Sequence, residues 1–401
     1  MLREKWQEKV LGNLITLEYG AGLPESSRSG SGFPVYGSSG IVGQHTDYLV
    51  NGPGIVVGRK GTVGAVAWSK GPFWPIDTAY YVNTKCEVEI RWCYWLLQSI
   101  GLDRLDSSTG VPGLNRNDAY IIKVKIPPLP EQRRIAEILD TIDEAIQKTE
   151  ALISKLKAMK QGLLHDLLTR GLDKNGKLRD PKAHPEQFKH SQLGRIPKEW
   201  VIQELGKATS KIQDGTHFSP KTTRGSFRYL TSKNIRFGYV DLSDCGWISK
   251  KEHETIYARC DVRYGDVLLT KDGANTGNAA INNLNEPVSL LSSVAFIRCD
   301  DRTLHSEYVF HYLLSPRCQQ RIKDLMSGNA ITRLTLERIK SFVIPLPGIK
   351  EQLKIIEPLN SHDARIHTEE QYRDKLKLQK KGFMHDLLTG KVRVKVRLKL
   401  L

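Results

Sequence analysis

Residues 126–169 read IPPLPEQRRIAEILDTIDEAIQKTEALISKLKAMKQGLLHDLLT, and residues 346–389 read LPGIKEQLKIIEPLNSHDARIHTEEQYRDKLKLQKKGFMHDLLT. The second stretch is an altered copy of the first at a constant offset of 220: Glu131 matches Glu351, Lys155 matches Lys375, Gly162 matches Gly382 and His165 matches His385. In the first copy Ile135, Ile138, Ile142, Ala145, Thr149, Leu152, Leu156, Met159 and Leu163 step alternately by three and four, the spacing of a coiled-coil seam. A helix from Glu131 to Thr169 would be roughly 58 Å long at about 1.5 Å per residue, too long for an ordinary packing helix of a small domain. A seam of that length needs a partner, and the second copy is the natural one. It is expected to lie antiparallel, because each copy is preceded by its own globular segment. Its seam is poorer: Pro358, His362, Arg365 and Glu369 fall at the apolar positions of copy one. Pro358 is expected to kink or delay the second helix, with regular pairing only from about Ile366.

The 401 residues suffice for two or three domains with separate cores. A formal charge of +16 favours a polyanionic partner without identifying it, since nucleic acid, heparin-like chains and membrane surfaces all attract such a protein. No apolar run reaches the roughly 18 residues needed to cross a bilayer, and MLREKWQEKV lacks the apolar centre of a secretory signal, so a cytoplasmic location is expected. Six scattered cysteines without a CxxC pair indicate neither a zinc site nor a disulfide framework.

Residues 1–125 carry β-branched and aromatic runs, GIVVG at 54–58, GAVAW at 64–68 and TAYYV at 78–82, punctuated by Gly, Pro, Ser and Asn. They read as a β-rich domain with long loops and a short helix over 90–100. The small residues of the 20–43 loop, with Arg28 among them, allow close approach to a ligand, although most such loops are plain connectors. Residues 171–199 are polar and proline-bearing, as expected of a linker. Within them GLDKNGK has the spacing of a phosphate-binding loop, but Leu178 replaces the required Ser or Thr and no strand precedes it, so ATP binding is rejected. The second globular segment opens WVIQELG at Trp200, echoing WQEKVLG at Trp6. From Trp6 to Glu131 is 125 positions and from Trp200 to Glu351 is 151, so the halves agree in their helices and diverge in their domains.

Each domain also holds a strand entering a glycine-rich turn with a lysine near its tip: GIVVGRKGTVG with Lys60, and GDVLLTKDGANTG with Lys271. Backbone N–H groups and a cation there suit a phosphate; a plain hairpin turn explains the same letters equally well. The fold class is therefore α+β: two β-rich domains (1–125 and 200–345) separated by two long antiparallel helices (126–170 and 346–392) forming a coiled-coil spacer. The linker at 171–199 and a basic tail at 393–401 complete a pseudo-two-fold internal repeat.

The succession of a domain, an EQxxIAxIL helix ending in LLT, an SxxGxIPxxW segment, a second domain and a second EQ helix resembles the specificity subunit of Type I restriction-modification systems. The residues that carry it are Glu131, Gln132, Ile135, Ala136, Ile138 and Leu139; Ser191, Gly194, Ile196, Pro197 and Trp200; and Glu351, Gln352 and Ile355. QDGTHFSP (213–220), YLTSKNI (229–235) and LLTKDGANTG (268–277) also look like segments common in that family's target recognition domains. Pro358, the weaker second seam and the tail KVRVKVRLKL depart from the pattern. The resemblance implies a chain without catalysis of its own, whose two target recognition domains each read one half of a bipartite double-stranded DNA sequence. It implies helices that dock two methyltransferase subunits, which bind S-adenosylmethionine, and nuclease subunits that use ATP and Mg and join a larger complex. No cofactor or metal is expected on this chain itself. Alternatives are a non-specific nucleic-acid scaffold and an unrecognised DNA-modifying enzyme, although no NPPY or DPPY tetrapeptide occurs.

Asn, Gln, Arg, Lys and Thr on loops can reach base edges in the major groove, with lysines contacting phosphate more than bases. The DNA-binding candidates in the first domain are Arg28, Gln44, Lys60, Arg104, Asn115 and Arg116. In the second they are Asp214, Thr216, His217, Lys221, Lys233, Asn234, Lys271, Asp272, Asn275 and Arg333. The candidates for a subunit interface are Glu131, Gln132, Ile135, His165, Asp166 and Leu167, with their repeats Glu351, Gln352, Ile355, His385, Asp386 and Leu387. The repeated His-Asp pairs are adjacent on a helix and face different ways, which suits an interface or helix end better than proton transfer.

Overall fold

The computed structural model describes residues 5–105, 113–222, 224–327 and 333–395. The outermost part of the basic tail, 396–401, lies outside the described residues. Two compact units emerge, residues 1–151 with 370–401 and residues 152–369, so each long helix contributes a part to both.

In the first unit, strands Ile15–Tyr19, Ala79–Thr84, Gly54–Gly58 and Val66–Ser69 form an antiparallel four-stranded sheet in that spatial order. Helix Ile90–Ser99 presents Trp92 and Trp95 to its core, both fully buried with Leu11, Leu14 and Ile55. A smaller sheet joins Gly40–His45, Phe33–Gly37 and Trp74–Pro75, the last pair parallel. The stretch expected as a 20–43 loop therefore contains a hairpin, because Val35 and Tyr36 are apolar enough to bury. A ribbon of Gln7–Val10 against Lys123–Ile126 brings the start of the chain beside the head of the first long helix.

The second unit repeats this plan strand for strand. Its four-stranded sheet runs Lys211–Asp214, Val294–Arg298, Val267–Thr270, Ala279–Ile281; its smaller sheet runs Gly246–Ile248, Phe227–Leu230, Val288–Leu290, again with a parallel pair; its ribbon pairs Val201–Glu204 with Val343–Leu346. The repeated Trp-to-Gly spacing has a steric cause. A Cβ on Gly12 would lie 2.8 Å from the Tyr120 Cβ, and one on Gly206 would lie 2.8 Å from the Lys340 Cβ. Residues 171–199, expected as a polar linker, are built into this unit instead. Phe188–Ser191 and Gly194–Pro197 form a hairpin that places Leu193 and Ile196 in the core cluster and also buries Phe188, a use of few apolar residues that composition conceals.

The long helices span Leu129–Thr169 and Ile349–Leu388. The seam of the first differs in phase from the sequence expectation. Ile135, Ile142, Thr149 and Leu156 are buried as expected, but the alternate positions are Leu139, Ile146, Ile153 and Lys160, each one residue beyond Ile138, Ala145, Leu152 and Met159. Met159 is half exposed. A three-four stagger and a four-three stagger share half their positions, so the run alone does not choose between them.

The shift also removes the expected interruption at Pro358. The seam of the second helix uses Ile355, Leu359 and Ile366, all buried, while Pro358 is off the seam and the helix runs through it. Proline deprives the Lys354 carbonyl of its helical donor, but Lys354 and Glu357 are exposed and water is at hand. Pairing thus begins well before Ile366, and it is antiparallel within each unit. Lys160 Nζ meets Asp363 Oδ1 at 2.5 Å in one, and Lys380 Nζ meets Asp143 Oδ1 at 2.5 Å in the other. These are the same pair displaced by the repeat, and Ile142 and Ile146 pack on Leu376 beside the second of them.

Each helix head is locked by its Glu-Gln pair. In the first unit Trp6 Nε1 donates to Glu131 Oε2 at 3.1 Å, and Arg393 donates through Nη2 at 2.6 Å to the same oxygen and through Nε at 2.7 Å to Oε1. In the second, Trp200 Nε1 donates to Glu351 Oε2 at 3.1 Å and Arg179 Nη1 to Oε1 at 2.6 Å. The basic tail that looked atypical therefore does for one helix what Arg179 does for the other. Gln132 accepts from Glu89 N and donates to Pro127 O, as Gln352 accepts from His305 N and donates to Pro347 O.

Burial disfavours the charged form of Glu131, but hydrogen bonds from Arg393 and Trp6 outweigh it and hold the carboxyl below its usual 4.5. A depressed carboxylate contributes stability that is complete above the unfolded value and lost as pH falls through the folded one. Glu131→Gln is expected to lower stability by about 1.5–3 kcal/mol at pH 7. The gap to wild type should close as pH drops below 4.5, as read by denaturant titration across pH.

Candidate nucleic-acid interface

The candidates divide by whether their polar atoms are already used. In the first unit Arg28 is half-buried and donates to Leu23 O and Val42 O, bracing its own loop. Asn115 caps the short helix Arg116–Tyr120, accepting from Asn117 N at 3.0 Å. Arg116 lies over the Tyr19 ring at 5.0 Å and donates to Leu17 O. Gln44, Lys60 and Arg104 are exposed, on strand Gly40–His45, on the glycine-rich turn and on the turn Leu102–Leu105.

In the second unit Asn234 is buried, with its amide donating to Asp241 O at 3.0 Å and Asp244 O at 3.1 Å, so it ties a loop. Asn275 donates to Ser232 O. Thr216 is buried beside strand end Asp214. His217, Lys221, Lys233 and Arg333 are exposed, and Asp272 bridges through its backbone to Arg333 as Lys60 bridges to Gly113.

The two glycine-rich turns are equivalent in the sheets, yet their lysines are not equivalent in role. Lys60 is exposed at the turn, whereas Lys271 is buried and its Nζ lies 3.2 Å from Asp214 Oδ2. The reading of Lys271 as a free cation for a phosphate is therefore corrected: a buried carboxylate across one intervening strand neutralises it. Asp214 also accepts from Arg259 Nη2 at 2.9 Å and lies 3.4 Å from His217 Nε2. Beyond this cluster, Asp261 and Asp266 bind Arg298, and Lys211 meets Asp261 at 2.6 Å. Burial opposes the charged Asp261, but hydrogen bonds from Lys211 and Arg298 prevail and hold it well below the usual carboxylate range.

Two arginines escaped the sequence reading. Arg59, next to Lys60, stands over the Tyr19 ring at 5.2 Å and donates to Asp77 O. Arg259 is 45 positions from its partner Asp214, and nothing local to either residue signals the contact.

Of the residues expected at a subunit interface, Glu131, Gln132, Ile135, Leu167, Gln352, Ile355 and Leu387 are buried inside their own unit, and Glu351 is engaged by Trp200 and Arg179. His165 and His385 are exposed, and Asp166 and Asp386 half-buried.

The model of the Type I restriction modification DNA specificity domain matches residues 3–158 and again residues 197–378. The chain belongs to this family. Among specificity-subunit relatives, it is 26% identical over 292 residues to the Type I restriction enzyme MjaVIII specificity subunit of Methanocaldococcus jannaschii, covering 72% of this chain and 66% of the relative. It is likewise 26% identical over 326 residues to the Escherichia coli EcoBI specificity subunit, covering 77% of this chain and 66% of that one. The match thus spans just under two thirds of these relatives' own length. In fold it resembles the S subunit of a Type I restriction-modification system from M. genitalium, with a TM-score of 0.66 at 15% identity over 96% of each chain.

The contrast between the two lysines is measurable. Asp214→Ala strands Lys271 as an uncompensated buried charge and is expected to cost about 3–5 kcal/mol of stability. Lys60→Ala, at an exposed position, should stay within about 0.5 kcal/mol of wild type by chemical denaturation.

Proposed function

We propose that this chain is the DNA-specificity subunit of a Type I restriction-modification enzyme, non-catalytic in itself, reading a bipartite double-stranded target with one half-site per domain. The observation that carries this reading is a strand order repeated without change, on which the exposed side chains differ. Gln44, Lys60 and Arg104 mark one copy, and His217, Lys221, Lys233 and Arg333 the other. One scaffold with two sets of donors and acceptors suits two unlike base sequences, because base edges in the major groove are distinguished by hydrogen-bonding pattern.

In this reading residues 1–125 and 200–345 are target recognition domains, and 126–170 and 346–392 are spacer helices. Exposed helix residues, His165 and His385 among them, dock two methyltransferase subunits. S-adenosylmethionine belongs to those subunits, and ATP and Mg to nuclease subunits of the larger complex. The setting is cytoplasmic; no helix among the described residues is long and apolar enough to cross a membrane.

Exchanging residues 200–345 for those of another family member should alter one half-site in the methylome and leave the other unchanged; alteration of both sinks the assignment. Inserting seven helical residues after Thr149 and seven after Asp374 preserves the heptad and adds about 10 Å at 1.5 Å per residue. The gap between half-sites should then widen by about three base pairs at roughly 3.4 Å each. The purified chain, incubated alone with DNA and labelled S-adenosylmethionine, should incorporate no label.

A further inference from the structure

The matched sheets allow positions to be compared row by row. In the first unit Tyr19 pairs with Tyr80, and Tyr80 with Val57. In the second Asp214 pairs with Ala295, and Ala295 with Leu269. Tyr19 and Asp214 therefore end the same strand at the same point, and two residues beyond Val57 and Leu269 stand Arg59 and Lys271. One half places a half-exposed aromatic ring there under two arginines, Arg59 and Arg116. The other places a buried carboxylate. A core position under common packing constraints has no reason to hold such different chemistry, whereas a position that discriminates between ligands does.

What the carboxylate does is visible in its partners. Lys271 is buried and neutralises one oxygen, at 3.2 Å. The other oxygen accepts from Arg259, whose side chain is 53% exposed. Gln213 faces the same guanidinium, and with its amide rotated so that the oxygen points there it accepts from Arg259 Nε at 3.0 Å and Nη2 at 3.1 Å. Arg259 is thus an exposed side chain fixed from below by two neighbours on one strand, and Nη1 is not used in either contact. A guanidinium fixed in this way loses little freedom on meeting a ligand.

We propose that Arg259 is a specificity-determining residue of the second domain, held by Asp214 as a positioning residue, and that it reads a guanine in that domain's half-site. The inference rests on the DNA-reading function proposed above. A guanidinium offers donors only. Guanine presents two adjacent acceptors, O6 and N7, in the major groove, whereas adenine and cytosine each place an amino donor there.

The test is methylome sequencing of cells carrying the full chain with its methyltransferase partner, for wild type, Arg259→Ala and Asp214→Asn. The half-site concerned is the one that exchange of residues 200–345 alters. Wild type should specify a guanine within it. Arg259→Ala should make that single position degenerate, with a roughly ten- to hundredfold loss of preference, and leave the other half-site intact. Asp214→Asn should relax the same position in part. Arg259→Ala replaces an exposed side chain, so its result does not depend on tolerance of a change at buried Asp214. An unchanged motif in Arg259→Ala overturns the inference while the function stands. So does a uniform fall in modification at all sites without loss of base preference, the mark of a phosphate contact. A wild-type chain that directs no sequence-specific methylation removes the underlying function instead.

Discussion

Each half of this protein is organised around one glutamate at the head of a long helix, buried in the case of Glu131 and half-buried in that of Glu351. Glu131 and Glu351 each gather a tryptophan from the opening ribbon of a domain and an arginine from the segment that follows the other helix. Three separate stretches of sequence are joined at a single carboxylate, and the neighbouring glutamine ties the turn before the long helix to the backbone at the start of a short one, Ile90–Ser99 or Ser306–Leu313. A carboxylate out of water is costly unless both oxygens are met, and here both are. The helix, the ribbon and the closing segment are therefore fixed to one another, and the sheet inherits its place from the ribbon.

The helices show how much of this was legible. A repeat at a constant offset is unambiguous in the letters, and it correctly implied two paired antiparallel helices. The face was harder, because Ile138 and Leu139 are both apolar and only packing decides which one enters the seam. Pro358 was misjudged for the same reason: one step of phase moves it from the seam to the edge. Composition also misled at 171–199, where three apolar residues suffice to anchor a hairpin that otherwise looks like a tether.

The polar site was less legible than the scaffold. Exposed Lys60, His217 and Lys233 follow the simple expectation that a polar residue in a loop faces solvent. Lys271 and Asn234 do not: Lys271 meets a buried carboxylate 57 positions away, and Asn234 is buried where it ties its loop to Asp241 and Asp244. Arg59 and Arg259, which meet the strand ends Tyr19 and Asp214, were missed because their meaning lies in the register of those strands. Only when Tyr19 and Asp214 are seen to end the same strand does the difference between them acquire significance. Within each domain the burial of the sheet keeps the frame constant, while the strand ends and turns are free to diverge.

We propose two unlike readers mounted on one duplicated frame. The most direct measurement is the methylation motif directed by the unaltered chain with its methyltransferase partner. Two different specified tracts separated by a run of unspecified bases of constant length are expected. A single continuous motif, or two tracts of identical sequence in inverted order, would contradict the proposal.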